Sequence, residues 1–310
     1  MGPDEFHESM PGAKEGGLKD NAYTNIMVVW LFSRAFDIMQ AMDQMRKQEV
    51  LNKIDLSEEE LVKWHNEVKK MNLSISQEGI IEQFDGYFNL KELNWDAYRE
   101  KYKNIYRMDR LLKSEGKTPD EYKVAKQADT LMTFFNIDPQ EVIKIVEGLG
   151  YKLPHDYLEK NFDYYCNRCS HGSTLSRVVH AYIASLIGRK ELSWNLYNEA
   201  LMSDYVDIQG GTTAEGIHMG VMTGTVLMAL TAFAGLNFHG DNLSINPNLP
   251  SHWREIDFSC SFKGVDYRVK VQKDYVLIKS NATQVNKVKV IVGNKEIFLE
   301  DSIEIRVDIN

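Results

Sequence analysis

The spacing of apolar residues changes near residue 237, and this change constrains the fold more than any other feature of the sequence. Before it, apolar residues recur at three- and four-residue steps, which is typical of helices. After it, short segments alternate every two residues and are separated by turn signals such as Lys263-Gly264 and Gly293-Asn294. We therefore predict a mainly helical domain over residues 1–236 and a small antiparallel β-sheet domain over residues 237–310.

The two patterns also predict the individual elements. Roughly eight helices are expected, at residues 21–47, 57–71, 95–112, 118–136, 138–148, 171–187, 192–204 and 214–236. Residues 80–90 and 151–170 are aromatic and irregular, so they are expected to form ordered loops. Strands are expected at residues 243–245, 256–262, 267–271, 275–280, 287–292 and 303–307.

Composition excludes several classes of function. A net charge of -9 disfavours nucleic acid and anionic membranes as partners, because both attract basic surfaces. No apolar stretch reaches the ~18 residues that a membrane-spanning helix needs, and no signal peptide is visible. Three cysteines cannot all pair with one another, which favours a reducing compartment. We expect a soluble, cytoplasmic protein.

The first candidate site is the acidic stretch at residues 2–8. Asp4, Glu5 and Glu8 stand with His7 in a segment that also contains Gly and Pro, directly before a buried helix. Such a loop can place one carboxyl group over a pocket, where it acts as a general acid. A solvated acidic tail is the alternative that charge alone leaves open.

Two further segments can bind a polar ligand. Lys126 and Gln127 are predicted on an apolar helix, where they offer hydrogen-bond donors to sugar hydroxyls or form an ordinary polar stripe. Residues 170–176 carry Ser, Thr and Gly before a helix, which fits either an anion site or plain capping. Cys166 and Cys169 have the spacing of a metal-binding pair, but no second pair accompanies them, so no metal is expected.

A glycine- and threonine-rich segment at residues 209–218 is predicted to enter a helix. Glu215 and His218 are three residues apart and would share a helical face. Two ligands are too few for a zinc site. His218 is therefore either an anion ligand or a structural histidine.

Taken together, the motifs resemble glycoside hydrolase family 65, which contains the maltose, trehalose, kojibiose and nigerose phosphorylases. The matching segments, in the order of that family, are GPDEFH at residues 2–7, DNAYTN at 20–25, VAKQAD at 124–129, SHGSTLS at 170–176, GTTAEGIH at 211–218 and NPNLP at 246–250. The agreement of several motifs in order is far more specific than any one of them.

The resemblance implies an incomplete (α/α)6 barrel, consisting of its later helices, followed by a small antiparallel β-sheet domain. It implies that Glu5 is the general acid and that Lys126 and Gln127 bind the glucosyl unit. Inorganic phosphate, the only co-substrate implied, would be held by Ser170, Ser173, Thr174 and His218. The implied reaction inverts the anomeric carbon: an α-linked glucose disaccharide or oligosaccharide and phosphate give β-glucose 1-phosphate. No cofactor or metal is implied.

Two departures from the family leave alternatives open. Complete members carry a β-sandwich and further barrel helices before the GPDEFH motif, so an upstream-encoded polypeptide or a second copy is expected as a partner. Residues 9–19 form a longer insertion than in the maltose enzymes, which leaves the linkage and the acceptor open. An inverting α-glucosidase of the same family and an inactive carbohydrate-binding remnant are the alternative functions. The lack of an acid at residues 164–177 favours phosphorolysis, because a hydrolase needs a base carboxylate there.

Overall fold

The computed structural model describes residues 2, 4–207, 214, 216–281 and 287–309. Helices fill the first three quarters of this part of the chain. In order they are α1 (Ala22–Ala41), α2 (Gln44–Lys53), α3 (Glu58–Val68), α4 (Trp95–Tyr102), α5 (Met108–Ser114), α6 (Asp129–Asn136), α7 (Pro139–Gly148), α8 (Tyr157–Cys166), α9 (Thr174–Leu186), α10 (Lys190–Met202) and α11 (Met219–Met228). None of them is both long enough and apolar enough to cross a lipid bilayer.

The helices begin largely where polar capping residues predict. Asn21 accepts a hydrogen bond from the Thr24 backbone and starts α1, and Ser57 does the same for Glu60 and α3. The predicted helix over residues 21–47 is interrupted, however, because Met42 is extended and Asp43 caps a new helix. The capping residue Asp43 therefore starts a second helix within the stretch where the apolar pattern predicted one continuous helix.

The predicted helix over residues 118–136 is wrong in its first half. Thr118 caps only a single 3₁₀ turn, Pro119–Glu121, and α6 begins at Asp129. Between them the chain is drawn into long-range pairings: Lys91 bridges to Tyr122, and Ala125 bridges to Cys169. Lys126 and Gln127 therefore lie on this paired segment before α6 and not on a helix.

Three other helix predictions need correction. The segment 95–112 forms two helices, α4 and α5, and the segment 151–170 contains α8, which sequence periodicity missed. The helix predicted at 214–236 begins at Met219 and ends in a π-helical turn, Ala229–Phe233. Its predicted first turn falls largely outside the described residues.

Helix α9 lies at the centre of the helical region. Ten of its 13 residues are buried, and it packs against α6, α8, α10 and α11. A helix enclosed on this many sides is apolar around most of its circumference. The position matters because the predicted anion loop at residues 170–176 leads directly into it.

Short strands dominate the remaining described residues. They are β1 (Leu236–Asn237), β2 (Leu243–Ile245), β3 (Glu255–Phe262), β4 (Val265–Gln272), β5 (Tyr275–Asn281), β6 (Val288–Val292), β7 (Lys295–Leu299) and β8 (Glu304–Asp308). They form two four-stranded sheets, in the orders β1-β2-β6-β7 and β3-β4-β5-β8. All pairs are antiparallel except β2 with β6.

The β prediction is confirmed for six strands and misses β1 and β7. Lys263 and Gly264 both have positive φ, 49° and 78°, and join β3 to β4 as the two-residue turn predicts. Trp253, just before β3, packs edge-on against Trp194 of α10, and Asn248 donates to the Ser185 hydroxyl of α9. The segment between β2 and β3 thus contacts α9 and α10.

Candidate functional site

Asp4 fastens the acidic loop to the protein interior. Its buried carboxylate accepts hydrogen bonds from the Lys126 backbone N–H at 2.6 Å, from Gln83 Nε2 at 3.1 Å and from His7 Nδ1 at 2.7 Å. Three donors on one buried carboxylate compensate for the loss of its hydration. The loop that carries Glu5 is therefore fixed in place and is not a solvated tail.

His7 supports Asp4 as a cation. Its Nδ1 faces the Asp4 carboxylate and its Nε2 lies 3.0 Å from the Tyr122 carbonyl oxygen. Both neighbours can only accept, so both ring nitrogens donate. Burial alone would lower the pKa of His7, but the hydrogen bond and charge of Asp4 and the Tyr122 carbonyl raise it overall.

Glu5 points in the opposite direction from Asp4. Its φ of 63° lies in the left-handed region, which is uncommon for a residue with a side chain, and its carboxylate is largely exposed. Glu5 Oε2 lies 2.6 Å from Lys126 Nζ. The structure thus joins the predicted acid to one of the predicted sugar-binding residues. A sugar that binds to the Lys126 ammonium group has to break the ion pair between Lys126 and Glu5.

Asp129 is a buried acid beneath the loop that sequence reasoning did not single out. It accepts a hydrogen bond from Asn21 Nδ2 at 2.9 Å. Burial, followed by the negative charge of Asp4, raises its pKa. A Cβ on Gly2 would lie 1.8 Å from Asp129 Oδ2, so the backbone there approaches too closely for any side chain.

The Ser170–Thr174 loop packs against the segment that carries Lys126. The Ser170 backbone donates to the Ala125 carbonyl at 2.9 Å, and the buried Ser170 hydroxyl lies 3.1 Å from the Tyr106 carbonyl. A Cβ on Gly172 would lie 2.4 Å from that Tyr106 oxygen and 3.2 Å from Lys126 Cγ. The structure therefore brings Glu5, Lys126 and the predicted phosphate loop together.

Ser173 and Thr174 form the start of α9. Ser173 is the N-cap residue, is half-buried, and makes no side-chain capping hydrogen bond, while Thr174 is buried. The first backbone N–H groups of a helix lack intrahelical partners and carry the positive end of its dipole. This helix start can therefore receive an anion.

A network of hydrogen-bonded side chains supports that loop from inside, and it includes the buried Arg177 guanidinium, which donates to the His171 carbonyl oxygen at 3.2 Å. His171 Nδ1 lies 2.9 Å from the Ser176 hydroxyl, and His180 Nδ1 lies 2.7 Å from the Ser176 carbonyl. Burial, aided by the charge of Arg177, holds the pKa of His171 well below its ordinary value and lowers that of His180 to about 4. Both imidazoles are therefore uncharged at neutral pH.

His218 stands at the start of α11, at the same end of the helical region. Its Nδ1 lies 2.6 Å from Asp204 Oδ1, and its backbone N–H donates to the other oxygen of that carboxylate. A Cβ on Gly224 would contact Val178. Helices α9 and α11 lie side by side and run in the same direction, since the same clusters join their early and their late residues. Both helix starts therefore face one end.

The remaining site predictions have mixed outcomes. Gln127 is buried directly beside Lys126. Residues 209–213 and Glu215, which the sequence placed in a glycine-threonine loop, lie outside the described residues. Asp4 and His7 carry an Asp-x-x-His spacing, and that spacing could have identified them as a supporting pair.

Comparison with known proteins identifies the family. Residues 1–227 match the glycosyl hydrolase family 65 central catalytic domain, and residues 236–299 match the family's C-terminal domain. The chain therefore belongs to glycosyl hydrolase family 65.

Individual relatives agree with this family. Trehalose 6-phosphate phosphorylase of Lactococcus lactis is 40% identical over 100% of this chain, and kojibiose phosphorylase of Halothermothrix orenii is 27% identical over 97% of it. A solved structure described as a putative kojibiose phosphorylase from human microbiome superposes with a TM-score of 0.75 at 28% identity over 99% of the chain. The chain spans 38%, 36% and 37% of these three proteins.

Proposed function

We propose that this chain forms part of an inverting α-glucoside phosphorylase that transfers a glucosyl unit to inorganic phosphate and yields β-glucose 1-phosphate. The observation that carries the proposal is the contact of Glu5 with Lys126, whose side chain packs on Gly172 of the phosphate loop. The proposed proton donor, the proposed sugar-binding residue and the proposed anion loop are thus neighbours. The phosphorylases among the relatives support the same reaction.

Each candidate residue has a definite part in this proposal. Glu5 protonates the glycosidic oxygen, because its carboxyl group projects from a rigid loop into solvent. Lys126 and Gln127 hold the glucosyl unit. Phosphate binds at the starts of α9 and α11, at Ser173, Thr174 and His218. Ser170 also helps to hold the loop in place, since its hydroxyl already faces the Tyr106 and Ala125 carbonyls.

The proposed stereochemistry follows from where the nucleophile binds. In an inverting glycoside hydrolase, a base carboxylate activates water on the face opposite the acid. Phosphate is itself an anionic nucleophile and needs no such base. A loop built from Ser, Gly and Thr at a helix start, with neutral histidines beneath it, favours an anion where a hydrolase would hold a carboxylate.

The substrate that we propose to test first is α,α-trehalose 6-phosphate. The relative whose name carries this substrate shares 40% identity over 100% of the chain, against 27% for the kojibiose enzyme. Kojibiose, trehalose, maltose and nigerose follow as candidates. The insertion at residues 9–19 is the segment that we propose determines which acceptor is recognised, because it follows the acid loop directly.

Four further expectations belong to the same proposal. The helices are proposed to be part of an (α/α)6 barrel, with the domain boundary between residues 236 and 237, and the protein is proposed to act in the cytoplasm. Large apolar side chains are exposed at the end of α10, Leu201 and Met202, and near the end of α11, Val226 and Leu227. Exposed apolar side chains can mark interaction sites when they lie together. We propose that an upstream-encoded polypeptide or a second copy covers at least one of these two positions.

The proposed function is tested by incubating the chain with each candidate disaccharide, with and without phosphate, and measuring β-glucose 1-phosphate and free glucose. Phosphate-dependent release of β-glucose 1-phosphate is the expected result. Free glucose at the same rate without phosphate would instead identify an inverting α-glucosidase. If no sugar is cleaved, even after any polypeptide encoded immediately upstream is added, the chain is a carbohydrate-binding remnant.

A further inference from the structure

A cysteine and two histidines meet behind the phosphate loop. Cys166 is the last residue of α8, His171 lies in the loop, and His180 lies on α9; one ligand atom from each is within 4.8 Å of the others. The sequence predicted no metal at Cys166 because its CxxC motif has no second cysteine pair. The fold supplies two imidazoles instead, from positions whose spacing matches no sequence motif.

His180 contributes an unprotonated ring nitrogen to this cluster. Its Nδ1 lies 2.7 Å from the Ser176 carbonyl, which can only accept, so Nδ1 carries the proton. Nε2 therefore carries no proton and has a free lone pair. It is fully buried and has no hydrogen-bond partner. Buried polar atoms are rarely left in this state. A histidine whose other nitrogen donates to a backbone carbonyl is the arrangement that orients an imidazole toward a metal.

His171 and Cys166 complete the donor set. The left-handed backbone of His171, with φ of 52°, turns its ring edge-on to that of His180, with ring centroids 4.7 Å apart. Cys166 and His171 are only half-buried, so each of these two residues keeps some contact with solvent. One thiol and two imidazoles suit zinc and similar transition metals, whereas magnesium and calcium require oxygen ligands.

We propose that Cys166, His171 and His180 bind one zinc-class divalent cation. Zinc–sulfur and zinc–nitrogen bonds of about 2.3 and 2.0–2.1 Å place neighbouring tetrahedral ligand atoms roughly 3.3–3.7 Å apart. The side chains thus have to close by about 1 Å. Binding breaks the S–H bond of Cys166, forms a metal–thiolate bond and releases the proton to solvent. Water occupies the fourth position. The cation would join α8 and α9 beneath the phosphate loop.

Cobalt(II) titration of metal-free protein tests this site directly, because a cobalt–thiolate bond produces a near-ultraviolet charge-transfer band. Wild-type protein should develop the band stoichiometrically, and added Zn²⁺ should abolish it. Cys166→Ser should take up cobalt without the band, while the matched variant Cys260→Ser, which removes a half-buried thiol on β3, should behave as wild type. Circular dichroism of each variant confirms that it is folded.

The same titration can overturn the proposal. Wild-type protein that develops no band, or a Cys166→Ser protein that keeps it, excludes this site. Cys169 Sγ lies 3.8 Å from His171 Nδ1, so Cys169→Ser is the sharpest additional variant. If it loses the band while Cys166→Ser keeps it, the thiolate ligand is Cys169 and the proposed donor set is wrong.

Discussion

The two loops that meet at Lys126 are held by opposite kinds of chemistry. The acid loop at residues 2–8 is fastened by buried charges, the Asp4 carboxylate and the His7 imidazolium. The phosphate loop at residues 170–174 is supported by backbone pairing, a serine hydroxyl, two uncharged histidines and the buried Arg177 guanidinium, which donates to the His171 carbonyl oxygen. A buried carboxylate fixes the loop of the proposed proton donor, whereas neutral groups and one buried cation support the place where an anion is proposed to bind.

This difference has a physical reason. A carboxylate buried beneath the phosphate loop would repel the incoming anion, whereas neutral groups and the Arg177 guanidinium do not oppose the positive end of the α9 dipole. The acid loop has no such restriction, because its working group, Glu5, projects away from Asp4 into solvent. Each variant described next alters an interaction that holds one of these two loops.

The largest expected effect comes from removing the charge that fastens the acid loop. Asp4→Asn leaves the buried His7 imidazolium without its partner, and breaking a buried ion pair in this way costs about 3–5 kcal/mol in the free energy of unfolding. Denaturant unfolding measures the loss. Glu8→Gln removes an exposed carboxylate from the same loop and should change the stability by less than about 0.5 kcal/mol. Equal losses in the two variants would contradict charged anchoring.

A smaller effect is expected from crowding the phosphate loop. Gly172→Ala places a methyl group 2.4 Å from the Tyr106 carbonyl oxygen, a backbone atom that cannot easily move. Such overpacking costs about 1–3 kcal/mol, and the shifted loop should raise the KM for phosphate more than that for the sugar. Gly148→Ala is the matched control, since its methyl group meets nothing within 4 Å. A Gly172→Ala protein as stable as this control would show that the loop is not tightly packed.

The smallest expected effect is a change in pH dependence. Folding raises the pKa of His7, so its contribution to stability is complete below about pH 6.5, the unfolded value, and is lost as the pH rises through the folded value. Wild-type protein should therefore lose stability relative to His7→Gln above that pH. His239→Gln, an exposed control, should follow wild type. Parallel stability curves for wild type and His7→Gln would exclude an imidazolium.

The fold was predictable where local signals govern it. The turn at Lys263-Gly264 and the helix start at Ser57 appear in the structure as the sequence predicts. The helix predicted from Thr118 fails because Ala125 pairs with Cys169, 44 positions further along the chain, and takes up the backbone groups that a helix would use. Local periodicity carries no information about such pairings.

The candidate site was predictable only through residues that form motifs. Glu5, Lys126 and Ser170 belong to recognisable segments, and the structure brings those segments together. Asp129 belongs to the VAKQAD segment, but its importance and that of the cluster around His180 were not predictable, because they come from burial and from partners on other elements. These residues are recognised by which side chains lie close together in the fold, and not by their spacing along the sequence.

The role of Glu5 as proton donor is the central claim, and a substrate that needs no proton tests it most directly. In the preparation that cleaves a disaccharide, Glu5→Gln should lower phosphorolysis of that disaccharide by about 10²–10⁴-fold. It should leave phosphorolysis of α-glucosyl fluoride to β-glucose 1-phosphate largely intact, because fluoride departs without protonation. Glu8→Gln should retain both activities. If Glu5→Gln slows both substrates equally, or neither, Glu5 is not the general acid.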